Sequence, residues 1–155
     1  MKSLSQKTKY ALQALQVLAR EHGKGPILIS ELAGKDAIPK KFLEVILLEL
    51  KNQGILQSKK GKGGGYFLRR PPEKITLGQV IRVFDGPLAP LPCASESAFM
   101  KCDECRDVAT CGTRFVMKEV RDAMAKIVDG TTLADLLKRV DLLEKDRQKG
   151  NMYYI

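Results

Sequence analysis

Two short apolar runs, Ile55-Leu56 and Tyr66-Phe67-Leu68, flank the stretch Lys59-Lys60-Gly61-Lys62-Gly63-Gly64-Gly65. Apolar runs of this length around a Gly-rich tip predict a β-hairpin. Glycine lets the backbone turn through conformations other residues avoid, approach a phosphate closely and offer it N–H groups. Gly63 and Gly64 are therefore candidate phosphate contacts, and Lys59, Lys60 and Lys62 place positive charge around them. The tip is not a nucleotide P-loop, because a strand follows it and no Gly-Lys-Ser/Thr is present.

What precedes the hairpin decides its meaning. Leu4, Ala11, Leu12, Leu15 and Leu18 recur at helical spacing and predict an amphipathic helix over about 4–21, with Gly23 after it. Pro26-Ile27-Leu28-Ile29 reads as a small strand, and Ser30 as the cap of a short helix from Glu31 to about Lys35. Residues 34–38 form a turn. Pro39 suits the first position of a longer helix whose Phe42, Leu43, Ile46, Leu47 and Leu50 make a buried stripe ending at Gly54. Short helix, tight turn and longer helix is the order of a helix-turn-helix, and the basic hairpin after it is a wing. In such a module Ser30 faces DNA from the first helix of the motif. Lys40 and Lys41 lie in the first turn of the recognition helix, where base edges and phosphates are met. Glu44, one turn on, suits a cytosine amino group or simply a solvated face.

Charge follows the same division. Residues 1–70 hold 14 Lys/Arg and 5 Asp/Glu, a balance of +9, whereas residues 71–155 hold 13 of each. The whole excess sits in the first segment, as expected of a module that binds a polyanion beside one with another task. No apolar run approaches the roughly 18 residues of a membrane span, and the N-terminus lacks the pattern of a signal peptide. A cytoplasmic protein with no membrane partner is expected, in which cysteines are reduced thiols or metal ligands.

After Pro71-Pro72, Thr76 caps a helix carrying Leu77, Val80, Ile81 and Phe84, and Asp85-Gly86-Pro87 stops it. Thr113 then opens a longer helix with Val116, Val120, Ala123, Met124 and Ile127 on one stripe, widened by Met117 and Val128. Thr132 and Asp135 resemble a capping box for a last helix carrying Leu133, Leu136 and Leu137. The stripe of the long helix needs an apolar partner. The candidates are the first helix of the same chain and the same helix of a second subunit, which makes a homodimer the expected state. The fold class is mainly α with a small β wing: a winged helix-turn-helix over 1–70, a cysteine loop and dimerisation helices over 71–140, and a tail over 141–155.

Between those helices Cys93, Cys102, Cys105 and Cys111 follow the spacing C-x8-C-x2-C-x5-C. Four thiols in one short loop suit an iron–sulfur cluster, a tetrahedral zinc site or a thiol–disulfide switch. Zinc sites more often show two C-x2-C pairs, and one is present. The dipole of the helix that follows favours an anionic metal–thiolate centre. An enzyme is not expected: the single histidine, His22, has no Cys or Asp partner in pattern, and no cofactor fingerprint occurs. A protein-interaction module whose basic half only solubilises it is the alternative outside gene regulation.

Lys9-Tyr10-Ala11-Leu12, Ile29-Ser30-Glu31-Leu32-Ala33, Phe42-Leu43-Glu44, the run Lys60 to Leu68 and Ile75 to Ile81 together make the chain resemble the IscR/NsrR/CymR family of bacterial regulators over about residues 1–140. The resemblance implies a winged-helix homodimer crossed through its long C-terminal helix, binding palindromic promoter DNA to repress or activate transcription. It also implies, for many members, a 2Fe–2S or 4Fe–4S cluster in the loop before that helix, with 2Fe–2S placed first here and zinc as the alternative. The familiar C-x5-C-x5-C pattern is altered: Cys105 and Cys111 match its last two positions and Phe99 stands at the first. A His used by IscR-like members is replaced by Arg114, and the acidic residue used by NsrR-like members falls at Thr8 or a close neighbour, none of them acidic. All-cysteine ligation by Cys93, Cys102, Cys105 and Cys111 is the resulting expectation.

Overall fold

The computed structural model describes residues 3–35 and 37–150. The elements are α1 (Gln6–Arg20), α2 (Ile29–Lys35), α3 (Lys40–Asn52), β1 (Leu56–Lys59), β2 (Gly65–Leu68), α4 (Leu77–Asp85), α5 (Gly112–Asp129) and α6 (Leu133–Gln148), with 3-10 turns at Pro72–Lys74 and Pro92–Ala94. The fold is the mainly helical winged helix-turn-helix read from the sequence.

Helix α1 starts two residues later than its apolar pattern suggested. Ser5 caps it by accepting from the Thr8 N–H, and Leu4 is left exposed. The buried positions of α1, among them Ala11, Leu15 and Leu18, meet Leu43, Ile46, Leu47 and Leu50 of α3 in one core. Burying each of those large side chains stabilises the fold by about 1.5–3 kcal/mol. Phe42 does not belong to that stripe. It is about half exposed, and its ring meets Tyr10 of α1 edge to face at 6.2 Å.

The small strand expected at 26–29 shrinks to one bridge, Ile27 opposite Tyr66. Pro26 has no N–H to donate, and the Leu28 carbonyl accepts from Glu31 and Leu32. Those bonds start α2 at Ile29, so Ser30 lies inside its first turn rather than capping it. The turn expected over 34–38 includes Asp36, which lies outside the described residues.

The hairpin forms as expected, antiparallel with Leu56 opposite Leu68 and Lys59 opposite Gly65. Gly65 has φ +144°, and a Cβ there would stand 2.2 Å from the Ile27 carbonyl oxygen. Only glycine lets β2 lie against that bridge.

The core continues past residue 70. Ile75, Val80 and Leu133 share it with α1 and α3, and α4 and α6 both pack on α1. The capping boxes at Thr76 with Gln79 and at Thr132 with Asp135 are both made. Helix α6 runs on to Gln148, further than its last apolar position suggested. The apolar end of the tail, 152–155, lies outside the described residues.

Helix α5 opens one residue earlier than expected, with Cys111 as its cap. It packs on α4 and on the 92–94 turn. Its stripe stays open to solvent, with Val116 49 % and Ile127 65 % exposed, as are Phe115 and Val120. Arg121 is its buried residue. No helix among the described residues is long and apolar enough to cross a membrane.

Candidate nucleic-acid interface and cysteine cleft

The side chains singled out for DNA are borne by the second and third helices and the wing. Ser30 is exposed in the first turn of α2, and Lys40, Lys41 and Glu44 are exposed on the first half of α3. Lys59 ends β1, and Lys60 and Lys62 follow in the tip, all three exposed. The two tip glycines differ. Gly63 is exposed with φ +70° and open space around it. Gly64 is buried, its N–H already donates to Gly61 O over 3.0 Å, and a Cβ there would stand 2.4 Å from the Lys59 carbonyl oxygen. Gly64 is thus required by the packing of the hairpin, and its amide is engaged there. Sequence reasoning passed over Arg69 and Arg70, which extend the basic run just beyond β2.

The four cysteines line one cleft of about 430 Å³, together with Arg106 and Arg114. All four are free thiols; Cys93 is buried and the other three are partly exposed. Local turns bring them there. The Cys105 N–H donates to Cys102 O over 3.1 Å, closing the C-x2-C turn. The Asp107 carboxylate accepts from the Ala109 N–H and the Thr110 hydroxyl, both at 2.9 Å, and turns the chain into Cys111. The Ala109 amide, then the Thr110 hydroxyl, hold that carboxyl below the ordinary range. Cys111 Sγ accepts from the Arg114 N–H at 3.4 Å, so a sulfur sits on the positive end of α5. The Cys102 thiol is pushed above its ordinary value, first by a hydrogen bond with Cys93 and then by desolvation.

Sequence reasoning missed two arginines that fasten this loop. Arg114 Nε donates to Cys93 O at 2.8 Å. Arg121 Nη1 donates to Ala94 O at 2.6 Å, and its guanidinium also pairs with Asp122 and Glu96. Both lie on α5, seven residues apart, so the helix holds successive carbonyls of the Cys93 segment. Arg114 thus holds the loop by its backbone. Thr8 is fully buried and donates to Asp85 Oδ2 at 2.7 Å.

The donor set fits an iron–sulfur cluster: four soft thiol ligands face one cleft, with Arg106, Arg114 and the α5 terminus to balance negative charge. Among the described residues, no group of three His, Cys, Asp or Glu side chains is gathered closely enough to hold a metal ion. The thiols share the cleft without closing on a common point.

A profile of the Rrf2 family, described as an iron-dependent transcriptional regulator, matches residues 4–139. The chain is 42 % identical over 137 residues to an rrf2-like HTH-type transcriptional regulator of Rhodobacter capsulatus, covering 86 % of this chain and 91 % of that one. It is 32 % identical over 152 residues to the transcriptional regulator CymR of Bacillus subtilis, covering 98 % and 99 %. The solved structure of that CymR, described as the global cysteine regulator of its organism, matches with a TM-score of 0.74 over 90 % of this chain and 98 % of its own. The structure of T. potens IscR matches at 0.69 with 27 % identity, over 99 % and 94 %. These relatives are regulators of transcription rather than enzymes. The chain belongs to the Rrf2 family of helix-turn-helix transcriptional regulators.

Proposed function

We propose that this regulator is a cytoplasmic repressor that binds palindromic promoter DNA as a homodimer, its affinity set by an iron–sulfur cluster, 2Fe–2S ahead of 4Fe–4S. The observation that carries the reading is the position of the cleft: all four cysteines of the chain line it beside the N-terminus of α5, the helix whose apolar stripe is left uncovered. Residues 1–70 bind DNA through Ser30, Lys40, Lys41, Glu44, Lys59, Lys60, Lys62 and the exposed tip at Gly63, whereas the buried Gly64, whose amide is engaged within the hairpin, shapes that tip without touching DNA. Residues 71–140 pair the subunits and sense.

Cys93, Cys102, Cys105 and Cys111 would hold the cluster, which supplies a redox-active and readily lost iron centre. The chain's own part is mechanical. Arg114 and Arg121 hold the Cys93 segment on α5, so ordering or releasing the loop changes how α5 is held. If α5 pairs two subunits, the spacing of their recognition helices changes with it, and DNA-competent pairs gain or lose population. Anaerobic purification with absorption spectroscopy and iron and sulfide assay tests this. Visible charge-transfer bands with matching iron and sulfide are expected, and a colourless, iron-free protein overturns the cluster while leaving DNA binding intact.

A second reading replaces the cluster by thiol oxidation or zinc. The four free thiols line one cleft, three of them partly exposed, which leaves them open to pairing by an oxidant. Native mass spectrometry separates the branches, since a disulfide removes two hydrogens and zinc adds its own mass.

A further inference from the structure

The outer face of α3 carries apolar side chains that the core does not explain. At 100° per residue, Leu43, Ile46, Leu47 and Leu50 share one side of the helix, and all four are fully buried. Diametrically opposite, within an arc of about 60°, fall Lys41, Val45, Leu48 and Asn52. Val45 and Leu48 are each 53 % exposed. Phe42, on the shoulder of the same face, is anchored by its contact with Tyr10. A helix whose outermost line is Lys-Val-Leu-Asn is unusual for a surface facing only water.

We propose that Val45 and Leu48 read thymine by packing on its 5-methyl group in the major groove. The inference rests on the reading of α3 as the recognition helix and names the base chemistry it selects. Among the four bases, only thymine offers an apolar group in that groove, and aliphatic side chains are its natural contacts. The two residues stand three positions apart, about 4.5 Å along the helix, which suits methyls on neighbouring steps of the duplex. Charge complementarity names the occupant: Lys40 and Lys41 at the start of α3 and Lys51 at its end bracket the apolar pair. Lys41 stands on the outer line itself and Lys40 and Lys51 fall together on one flank of it, placed for the phosphates along a groove edge while Val45 and Leu48 meet its floor. Glu44, beside them, adds repulsion or a cytosine contact without competing for the methyl.

The test uses the full chain, purified anaerobically, and a duplex selected from genomic DNA by that chain. Each thymine of a half-site is replaced in turn by deoxyuridine, which keeps every hydrogen bond and removes only the methyl. Fluorescence anisotropy should show one or two positions where affinity falls about four-fold, the worth of one buried methyl-sized group. Val45→Ala or Leu48→Ala should lower affinity for the thymine duplex by a similar factor and abolish the deoxyuridine effect at the matching position. Both sites are exposed, so circular dichroism should show unchanged folding. Uniform affinity for thymine and deoxyuridine duplexes overturns the inference and leaves the DNA reading standing. Failure to select any duplex over random DNA overturns both. Recovery of selection by Val45→Ala with the deoxyuridine effect still in place assigns that methyl to another residue and overturns the role of Val45.

Discussion

Arg121 Nη1 lies 2.6 Å from the carbonyl oxygen of Ala94, and through that bond a buried cation of the long helix holds the residue next to Cys93. The neighbouring Asp122 carboxylate accepts from Arg121 Nε at 2.8 Å and fixes the guanidinium plane. Replacing one partner of a charged hydrogen bond costs about 1.5–3 kcal/mol. Arg121→Gln should therefore free the 92–96 segment and speed alkylation of Cys93 by iodoacetamide about ten-fold or more, followed by peptide mass mapping. Arg121→Lys, which keeps the charge but loses the planar fork, should fall between. An unchanged rate would mean that the arginine does not hold the segment.

The buried Thr8 hydroxyl joins the start of α1 to the end of α4. It donates to Asp85 at 2.7 Å, beside the Ser5 N–H, which donates to the same carboxylate at 3.1 Å. Thr8→Val keeps the shape and removes the donor. A loss of about 1–3 kcal/mol in denaturant unfolding is expected, with an unchanged m-value.

A mild acid dependence is built into the junction of α4 and α5. Arg82 donates to both oxygens of Asp129, and that hydrogen bonding, opposed by desolvation and helped by charge, holds the Asp129 carboxyl below its usual value. A depressed folded value means that the pair's stabilisation is present above the unfolded carboxylate value, about 4, and is lost as pH falls through the lower folded value. Both side chains are more than one third exposed, so solvent screens the pair and the effect should stay well under about 1 kcal/mol. Urea midpoints between about pH 5 and pH 2 should fall less steeply in Asp129→Asn than in the parent.

The open stripe of α5 predicts a dimer that charge can split. Val116→Asp together with Ile127→Asp should leave the helical circular dichroism intact and shift the light-scattering mass to that of one chain. A parent protein that is already monomeric at working concentration would remove the pairing role of α5.

Wing charge should act through salt. Lys60→Ala and Lys62→Ala should each weaken duplex binding and lower the slope of log affinity against log salt by about one for each phosphate that is no longer neutralised. Titration at several salt concentrations reads both effects, and an unaltered slope would place the wing away from the backbone.

The helices, the hairpin, the cap at Thr76 and the capping box at Thr132 were legible in the sequence because each rests on local rules: apolar spacing, cap chemistry and turn residues. The errors arose where a distant partner decided. Ile27 pairs with Tyr66 across nearly forty residues, a bridge that no local pattern announces, and Pro26 and Leu28 then leave no room for a strand. Phe42 satisfied the helical period, yet its ring lies against Tyr10 at the edge of the core. The cysteines were plain as a set, and they line one cleft. Arg114 and Arg121 were not, because they read as solvated charges on an amphipathic helix until the carbonyls they hold are seen.

The bridge at Ile27 has a consequence for how any signal can work. Ile27 N–H donates to Tyr66 O at 2.9 Å and Tyr66 N–H donates to Ile27 O at 2.8 Å, so the lead into α2 and the base of the wing are stitched together. Gly65 removes the side chain that would hold them apart. Helix and wing therefore behave as the two jaws of a caliper with a locked screw: the gap within one half-site is preset by the backbone. In the proposed homodimer, control of binding would fall to the distance between two such calipers, and that distance would belong to the helix on which the cysteine loop is fastened.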